Sequence, residues 1–489
     1  MSFQYDMIVI GGGAAGLTAA GMSALLGAKT ALIEQHRLGG DCTWVGCVPS
    51  KTLLRTSKAA HLIRTADRFG FTAMQPQFDF MTVMDHVRRT RQRIYEDADA
   101  APHIEKLGVE VILGSARFQD RRTVQIQETS GASRQLTSRF FIIATGSRPR
   151  TGNFSEPPLT NETIFELGLQ PKQLLVMGAG PIGIELAQAF QRLGSEVTVV
   201  ASGNRILPRD DPEHAGQLQE CLSREGVSFL FSQKVTKLER RENSVTAVLD
   251  SGRTISCDAA LAAIGREPAI KGLRLENAMV RFGEKGIDVD LHCRTSQRHI
   301  YATGDVTGKY QFTHMGEHMS KVAVTNAILR WPKALDEKHV VWSTFTEPEL
   351  AHLGQSEQQL RKQHQKYALF RFPFAKLDRA IMESETEGGV KVLADERGRI
   401  LGASILGAHG GEMISEYALA MRHGLRLSQI ADTIHPYPTY MLGNRKTADQ
   451  FIAKQLDSPL LALLGRCLRY RGQRRGSGVL ERNSSGGGY

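Results

Sequence analysis

The sequence predicts an α/β chain built on two copies of one strand–turn–helix–strand device, followed by a separate α+β domain. Three observations carry this. A glycine cluster follows the apolar run Met7-Ile8-Val9-Ile10, a second follows Leu174-Leu175-Val176-Met177, and no glycine turn of this GxGxxG type recurs after about residue 340.

The first device continues as Gly11-Gly12-Gly13-Ala14-Ala15-Gly16, an apolar helix to about Leu26, and the strand Thr30-Ala31-Leu32-Ile33. The second continues as Gly178-Ala179-Gly180-Pro181-Ile182-Gly183, a helix through Phe190, and Val197-Thr198-Val199-Val200. One GxGxxG is a weak signal. Two, each between a strand and a helix, predict two Rossmann-like dinucleotide-binding units. Glycine lets the backbone approach a pyrophosphate, and the helix start presents free N–H groups and a partial positive charge to it.

Between the devices, residues 80–107 read as one long polar helix, followed by β-like runs at 109–113, 123–126 and 140–146. Similar apolar runs close on glycine at 259–265, before Arg266-Glu267-Pro268, and at 299–305. Beyond residue 340 the pattern becomes antiparallel strands at 366–372, 390–393 and 400–406, with helices at 412–422 and 427–433. That is an α+β pattern.

Composition sets bounds on function. With 61 basic and 51 acidic residues among 489, the net charge is +10, and 41% apolar content suffices for a large core. The 48 glycines follow no period, and six cysteines are too few for a disulfide scaffold. The first strand starts too early for a leader peptide, and no run spans a bilayer, so a cytoplasmic location is expected. The charge surplus is local: Arg466, Arg469, Arg471, Arg474, Arg475 and Arg482 stand against Glu481 alone. This basic tail reads either as a helix packed on the body with a loose end, or as a contact for a membrane surface or acidic partner. No nucleic-acid partner is expected.

Glu34 ends the second strand of the first device, 18 residues past Gly16, where a carboxylate accepts hydrogen bonds from a ribose. The matching position of the second device is Ala201, with Ser202, Asn204 and Arg205 nearby. A carboxylate there would repel a 2′-phosphate. Its absence predicts NADP(H) over NAD(H), with Arg205 either near that phosphate or structural.

Shortly past Glu34 stands Gly39-Gly40-Asp41-Cys42-Thr43-Trp44-Val45-Gly46-Cys47-Val48-Pro49-Ser50-Lys51. No second pair of ligands is visible for a zinc site, so no metal is assigned. Two unrelated buried cysteines or a redox disulfide remain. In a regular helix, residues five apart differ by roughly 140° around the axis and 7.5 Å in height, beyond disulfide reach. A bond therefore requires a distorted helix start, which Gly39, Gly40 and Gly46 favour. A thiolate there, near Lys51, would have a lowered pKa. Cys221, Cys257, Cys293 and Cys467 are scattered and read as structural.

GGxC-x4-CVPSK after an N-terminal GxGxxG, the ATG and ATGD runs, and a second GxGxxGxE resemble the flavin-dependent pyridine nucleotide–disulfide oxidoreductases. That group includes dihydrolipoamide dehydrogenase, glutathione reductase and mercuric reductase. The resemblance covers roughly residues 4–455, including Phe345-Thr346-Glu347-Pro348-Glu349-Leu350. It implies FAD on Gly11, Gly13, Gly16, Glu34, Gly40 and Lys51, with Gly114, Thr145, Gly146, Ser147, Gly304 and Asp305 completing the site. It implies NAD(P)H on Gly178, Gly180 and Gly183, with Ser202, Arg205, Gly265 and Arg266 nearby. Cys47 becomes the thiol against the flavin, Cys42 the outer thiol that exchanges with substrate, and Lys51 and Glu185 an ion pair beside the ring.

The implied domains are FAD binding with the cysteine pair (1–150), NAD(P) binding (151–270), a segment completing the first domain (271–340), dimerisation (341–455) and the basic tail (456–489). The family's dimerisation domain lends a His-Pro-Thr to its partner's site. Here the match is His435-Pro436-Tyr437-Pro438-Thr439, with Tyr437 immediately before Pro-Thr and Leu442 where a carboxylate is usual. A phenol is a poor base at neutral pH, and His435 is the candidate substitute. Mercuric reductases carry a tyrosine at this point and resemble residues 184–194, but their C-terminal cysteine pair is absent, Cys467 standing alone. The expected function is a homodimeric FAD enzyme exchanging electrons with a small dithiol or disulfide. The alternatives are reduction of a thiol-bound mercuric ion and quinone reduction of the diaphorase type. A non-enzymatic nucleotide-binding protein acting through its tail would be indifferent to Cys42→Ser.

Overall fold

The computed structural model describes residues 3–241, 244–457, 463–464 and 467–468. They form two compact units, one of residues up to 63 with 75–202 and 233–336, the other of 64–74, 203–232 and 337 onward.

In the first unit a parallel sheet is centred on strand Tyr5–Ile10, flanked by Thr30–Glu34 on one side and Ser133–Ile143 on the other. Met7, Ile8 and Val9 have no exposed surface, as a strand covered on both faces requires. Val109–Phe118 joins beside Thr30–Glu34, and Ile300–Ala302 joins beside Phe141–Ile143, both parallel. Two strands serve two sheets. Val109–Phe118 pairs in parallel up to Leu113, then from Gly114 pairs antiparallel with Thr123–Glu128, which pairs in turn with the start of Ser133–Ile143.

The second device repeats the plan. Gln173–Met177 pairs in parallel with Glu196–Ala201 and with Ala259–Ala262. Helix Pro181–Arg192 connects the first two, opening on a proline whose missing N–H is unneeded in a first turn. Strand Arg266–Pro268 then pairs antiparallel with Ser147–Pro149, tying the two devices together.

Residues 80–107 are not one helix. Helix Phe80–Ile94, capped by the Asp79 carboxylate on the N–H groups of Met81 and Thr82, runs into a π-turn at Tyr95–Asp99. The chain then extends at Ala100 and restarts as Ala101–Glu105. Pro102 is the physical reason, since it fits a first turn but not a helix interior.

The second unit holds a five-stranded antiparallel sheet in the order Val341–Thr344, Glu349–Gly354, Ile400–Gly407, Gly389–Ala394 and Ala368–Pro373. Helices Gly410–Arg422, Leu427–Asp432 and Leu442–Leu456 follow in sequence. Phe370, Phe374, Ile405, Tyr417 and Phe451 are among its core residues. Lys391, almost fully buried, lies 2.7 Å from Asp211, 3.1 Å from Glu213 and 3.6 Å from Glu357. Nearly all of the basic tail lies outside the described residues. Among the described residues no helix is long and apolar enough to cross a membrane, and no group of three or more His, Cys, Asp or Glu could hold a metal ion.

Candidate active site

The two glycine turns share one construction. A Cβ on Gly16 would stand 1.7 Å from the Gly11 carbonyl oxygen, and one on Gly183 would stand 2.2 Å from that of Gly178. Gly11 and Gly178, both left-handed, press on the carbonyls of Ala144 and Ala263, which end the neighbouring strands. Helices Ala14–Leu25 and Pro181–Arg192 start at Gly13 and Gly180 with no side chain capping them. Each turn therefore presents open N–H groups in a cradle that side chains would fill, which suits a pyrophosphate. Glu34 is oriented at the first turn, accepting from the N–H of Gly12 at 2.6 Å and of His36 at 2.7 Å. These residues fit FAD in the first turn and a nicotinamide dinucleotide in the second.

Gly40 packs against Gly13, where an added Cβ would come within 2.6 Å of the Gly13 Cα. This brings the cysteine segment to the first turn. Cys42 lies in the short helix Gly40–Trp44, and Cys47 opens the helix Cys47–Arg64. Val45 breaks the helix, and Gly46 fills a spot where a Cβ would lie 2.8 Å from the Asp41 carbonyl. The distortion that a bond across the five-residue spacing requires is present. The two thiols interact directly, a contact that holds the Cys47 thiol below its usual range and pushes Cys42 up. Lys51, one helical turn after Cys47, adds a cation that lowers Cys47 further, while burial opposes it.

Lys51 Nζ lies 2.6 Å from Glu185 Oε2, bringing the cysteine helix to the buried Glu185 of helix Pro181–Arg192. Thr313, missed by the sequence reading, opens helix Thr313–Ala327 and places its hydroxyl 3.4 Å from Cys47 Sγ. Its separation of 266 residues from Cys47 leaves no local signal. Ser147 donates to Asp305 at 2.6 Å; burial raises the Asp305 carboxyl, and the Ser147 bond and Arg266 pull it back. Thr145 donates to the Ala269 carbonyl, and Gly146 and Gly304 are left-handed turns in the same unit.

Other assigned residues are placed differently. Gly114 is glycine because a Cβ would meet the Gln127 carbonyl at 2.6 Å across the strand pair. Gly265 is left-handed, but the Arg266 side chain turns to Ser147, Asn161 and Asp41. Ser202 is exposed just past the strand end. In the second unit the Arg205 guanidinium donates to the carbonyls of Ile206, Leu207, Pro208 and Asp210.

His435, the candidate substitute base, has a carboxylate partner in Glu416, although Leu442 supplies none. Its buried ring places Nε2 2.8 Å from Glu416, and Nδ1 donates to the Thr433 carbonyl at 2.9 Å. Both nitrogens are thus occupied. The exposed Tyr437 donates to Asp378 at 2.9 Å, a bond that raises its pKa and keeps it a phenol at neutral pH.

Comparison with known proteins agrees with this geometry. The family profile described as pyridine nucleotide-disulphide oxidoreductase matches residues 5–327, and that of the same family's dimerisation domain matches 340–444. The chain is 32% identical over 459 residues to a dihydrolipoyl dehydrogenase of Bacillus subtilis, covering 90% of this chain and 96% of the relative. It is 31% identical over 461 residues to a mercuric reductase of Staphylococcus aureus, covering 92% and 82%. The solved HOCl-induced flavoprotein disulfide reductase RclA of Escherichia coli superposes with a TM-score of 0.80 at 27% identity, covering 91% and 99%. Two nucleotide cradles joined to one cysteine pair, with these relatives, make the chain a member of the flavin-dependent pyridine nucleotide–disulfide oxidoreductase family.

Proposed function

We propose that the chain works as a cytoplasmic homodimer, with NADPH as the preferred nucleotide, and reduces a small disulfide through Cys42 and Cys47. The observation that carries this reading is the direct interaction of the two thiols at a broken helix start, one turn from Lys51. FAD, when bound, supplies two-electron transfer between the nicotinamide and the cysteine pair. The residues do the rest. The Cys42–Cys47 disulfide takes up two electrons and two protons to become a dithiol. The Cys42 thiol attacks one sulfur of the substrate as its proton passes by way of Cys47 to the departing sulfur, forming a mixed disulfide and releasing one substrate thiol. Cys47, the thiol held low, then attacks Cys42 Sγ, restores the disulfide and releases the second. Lys51 stabilises the Cys47 thiolate, and Thr313 offers it a hydrogen bond.

NADPH is preferred because Ala201 leaves no carboxylate to repel a 2′-phosphate. Dimerisation rests on the match of residues 340–444 to the family's dimerisation domain.

The second reading is reduction of a thiol-bound mercuric ion. It is favoured by Tyr437, whose bond to Asp378 keeps it protonated, and by His435, whose two nitrogens are engaged. A soft cation bound by thiolates needs no base beside them. Steady-state assays with NADPH and NADH against lipoamide, glutathione disulfide and Hg²⁺ in excess thiol separate these readings. The first predicts turnover of a disulfide with NADPH, abolished by Cys42→Ser. Turnover of Hg²⁺ alone would replace it with the second, and a clear NADH preference would overturn the nucleotide assignment.

A further inference from the structure

Asp41 precedes Cys42, and its carboxylate lies 2.8 Å from Arg266 Nη2. The Arg266 side chain is only 9% exposed and spends its donors on one small region. Nε donates to Ser147 Oγ at 2.7 Å, Nη2 to the Ser147 carbonyl at 3.1 Å and Nη1 to Asn161 Oδ1 at 3.2 Å, while Asp305 stands 3.8 Å from Nε. Asn161 in turn donates to the Val45 carbonyl at 3.2 Å. Both ends of the short helix Gly40–Trp44 are therefore tied to one guanidinium, directly through Asp41 and by way of Asn161. On its other flank Thr43 donates to Asp99 at 2.6 Å, from the π-turn. Cys42 sits between the two anchored residues.

We propose that Arg266 is a positioning residue for the cysteine pair: through Asp41 it holds the turn that carries the outer thiol and balances the charge the thiols meet. The assignment rests on the reading of Cys42 and Cys47 as the redox pair. Arg266, Asp41 and Asp305 together carry one negative charge. Without the guanidinium the group carries two, which disfavours a thiolate nearby. Without the Asp41 charge it carries none, which favours one. Lys51, Glu185 and Asp99 also act on the thiols and are common to every variant compared. Lysine at 266 keeps the charge but loses the planar fork that reaches several acceptors at once.

Holoenzymes of wild type, Arg266→Gln, Arg266→Lys and Asp41→Asn test this, with FAD content measured for each. Two readouts are taken: the pH dependence of the thiolate-sensitive flavin absorbance, and the dithiol–disulfide equilibrium against dithiothreitol. Reduction of the disulfide takes two electrons and two protons, and a lower thiol pKa favours the reduced form. Arg266→Gln is expected to raise the thiol pKa and shift the equilibrium about tenfold toward disulfide, about 30 mV for a two-electron couple. Asp41→Asn is expected to shift both the opposite way. Arg266→Lys is expected to restore the pKa while kcat stays roughly tenfold low, with KM for NADPH within about twofold of wild type.

A loosened turn alone moves both variants in one direction, so shifts of the same sign, or none, overturn the proposal. If Arg266→Gln loses FAD, Asp41→Asn decides, and an unchanged thiol titration in that variant overturns it. Wild type that stores no electrons in its cysteines fails at the redox-pair reading itself. Wild type that stores them, with variants that titrate alike, fails at Arg266 alone.

Discussion

Cys47 meets one cation and one carboxylate whose removal should act in opposite directions. Lys51 lowers the thiol and Glu185 raises it. The thiolate is present above the Cys47 pKa and lost as pH falls through it. Lys51→Met is therefore expected to move the loss of thiolate-sensitive absorbance to higher pH, and Glu185→Gln to lower pH, each by on the order of one pH unit. A pH titration of the flavin spectrum checks both, and shifts of the same sign would contradict the assignment. Tyr437 gives a second test at this scale. If proton transfer limits exchange with a dithiol, Tyr437→His should raise lipoamide turnover by about tenfold, part of the roughly 10²–10⁴ a placed base supplies. No gain would remove proton transfer as the limit.

The glycine turns make separable predictions at the scale of elements. A methyl on Gly183 would stand 2.2 Å from the Gly178 carbonyl. Such overpacking costs about 1–3 kcal/mol, so Gly183→Ala should weaken NADPH binding roughly tenfold or more while the protein purifies with its FAD. Equilibrium binding of NADPH measures it, and unchanged affinity would show that the second turn does not hold the nucleotide. These turns were legible because strand, glycines and helix are contiguous in the sequence. The broken helix between the cysteines was legible too, because a disulfide across five residues is incompatible with a regular helix. The break near Pro102 was not anticipated, since the polar pattern of residues 80–107 outweighed one proline. Contacts made by folding left no trace in spacing: Thr313 reaches Cys47 across 266 residues, Arg266 turns to the cysteine loop, and His435 finds Glu416 19 residues upstream. Arg205 was ambiguous because only the fold shows its carbonyl partners.

For the whole molecule, the second unit carries a pH signature. Burial holds His214 and His352 neutral, with pKa values pulled down to about 4. Between that value and the ordinary 6.5 the unfolded chain binds more protons, so stability falls as pH falls through this window. Asp211, Glu213 and Glu357, held low although burial opposes it, act in the same sense at lower pH. Asp210, raised to about 6 by burial, opposes the histidines between its ordinary value and about pH 6. In the first unit His299, lowered by burial, stands against Asp305, raised by burial, so the two imidazoles against one carboxyl here leave a net loss, and the thermal midpoint is expected to fall between pH 7 and 4.5. A flat or rising midpoint would contradict this. Electrons stored in sulfur are read directly by anaerobic titration of the FAD-loaded protein with NADPH. Four electrons are expected to be taken up per subunit, two in FAD and two in Cys42–Cys47, falling to two in Cys42→Ser. Saturation of the wild type after two electrons would contradict this.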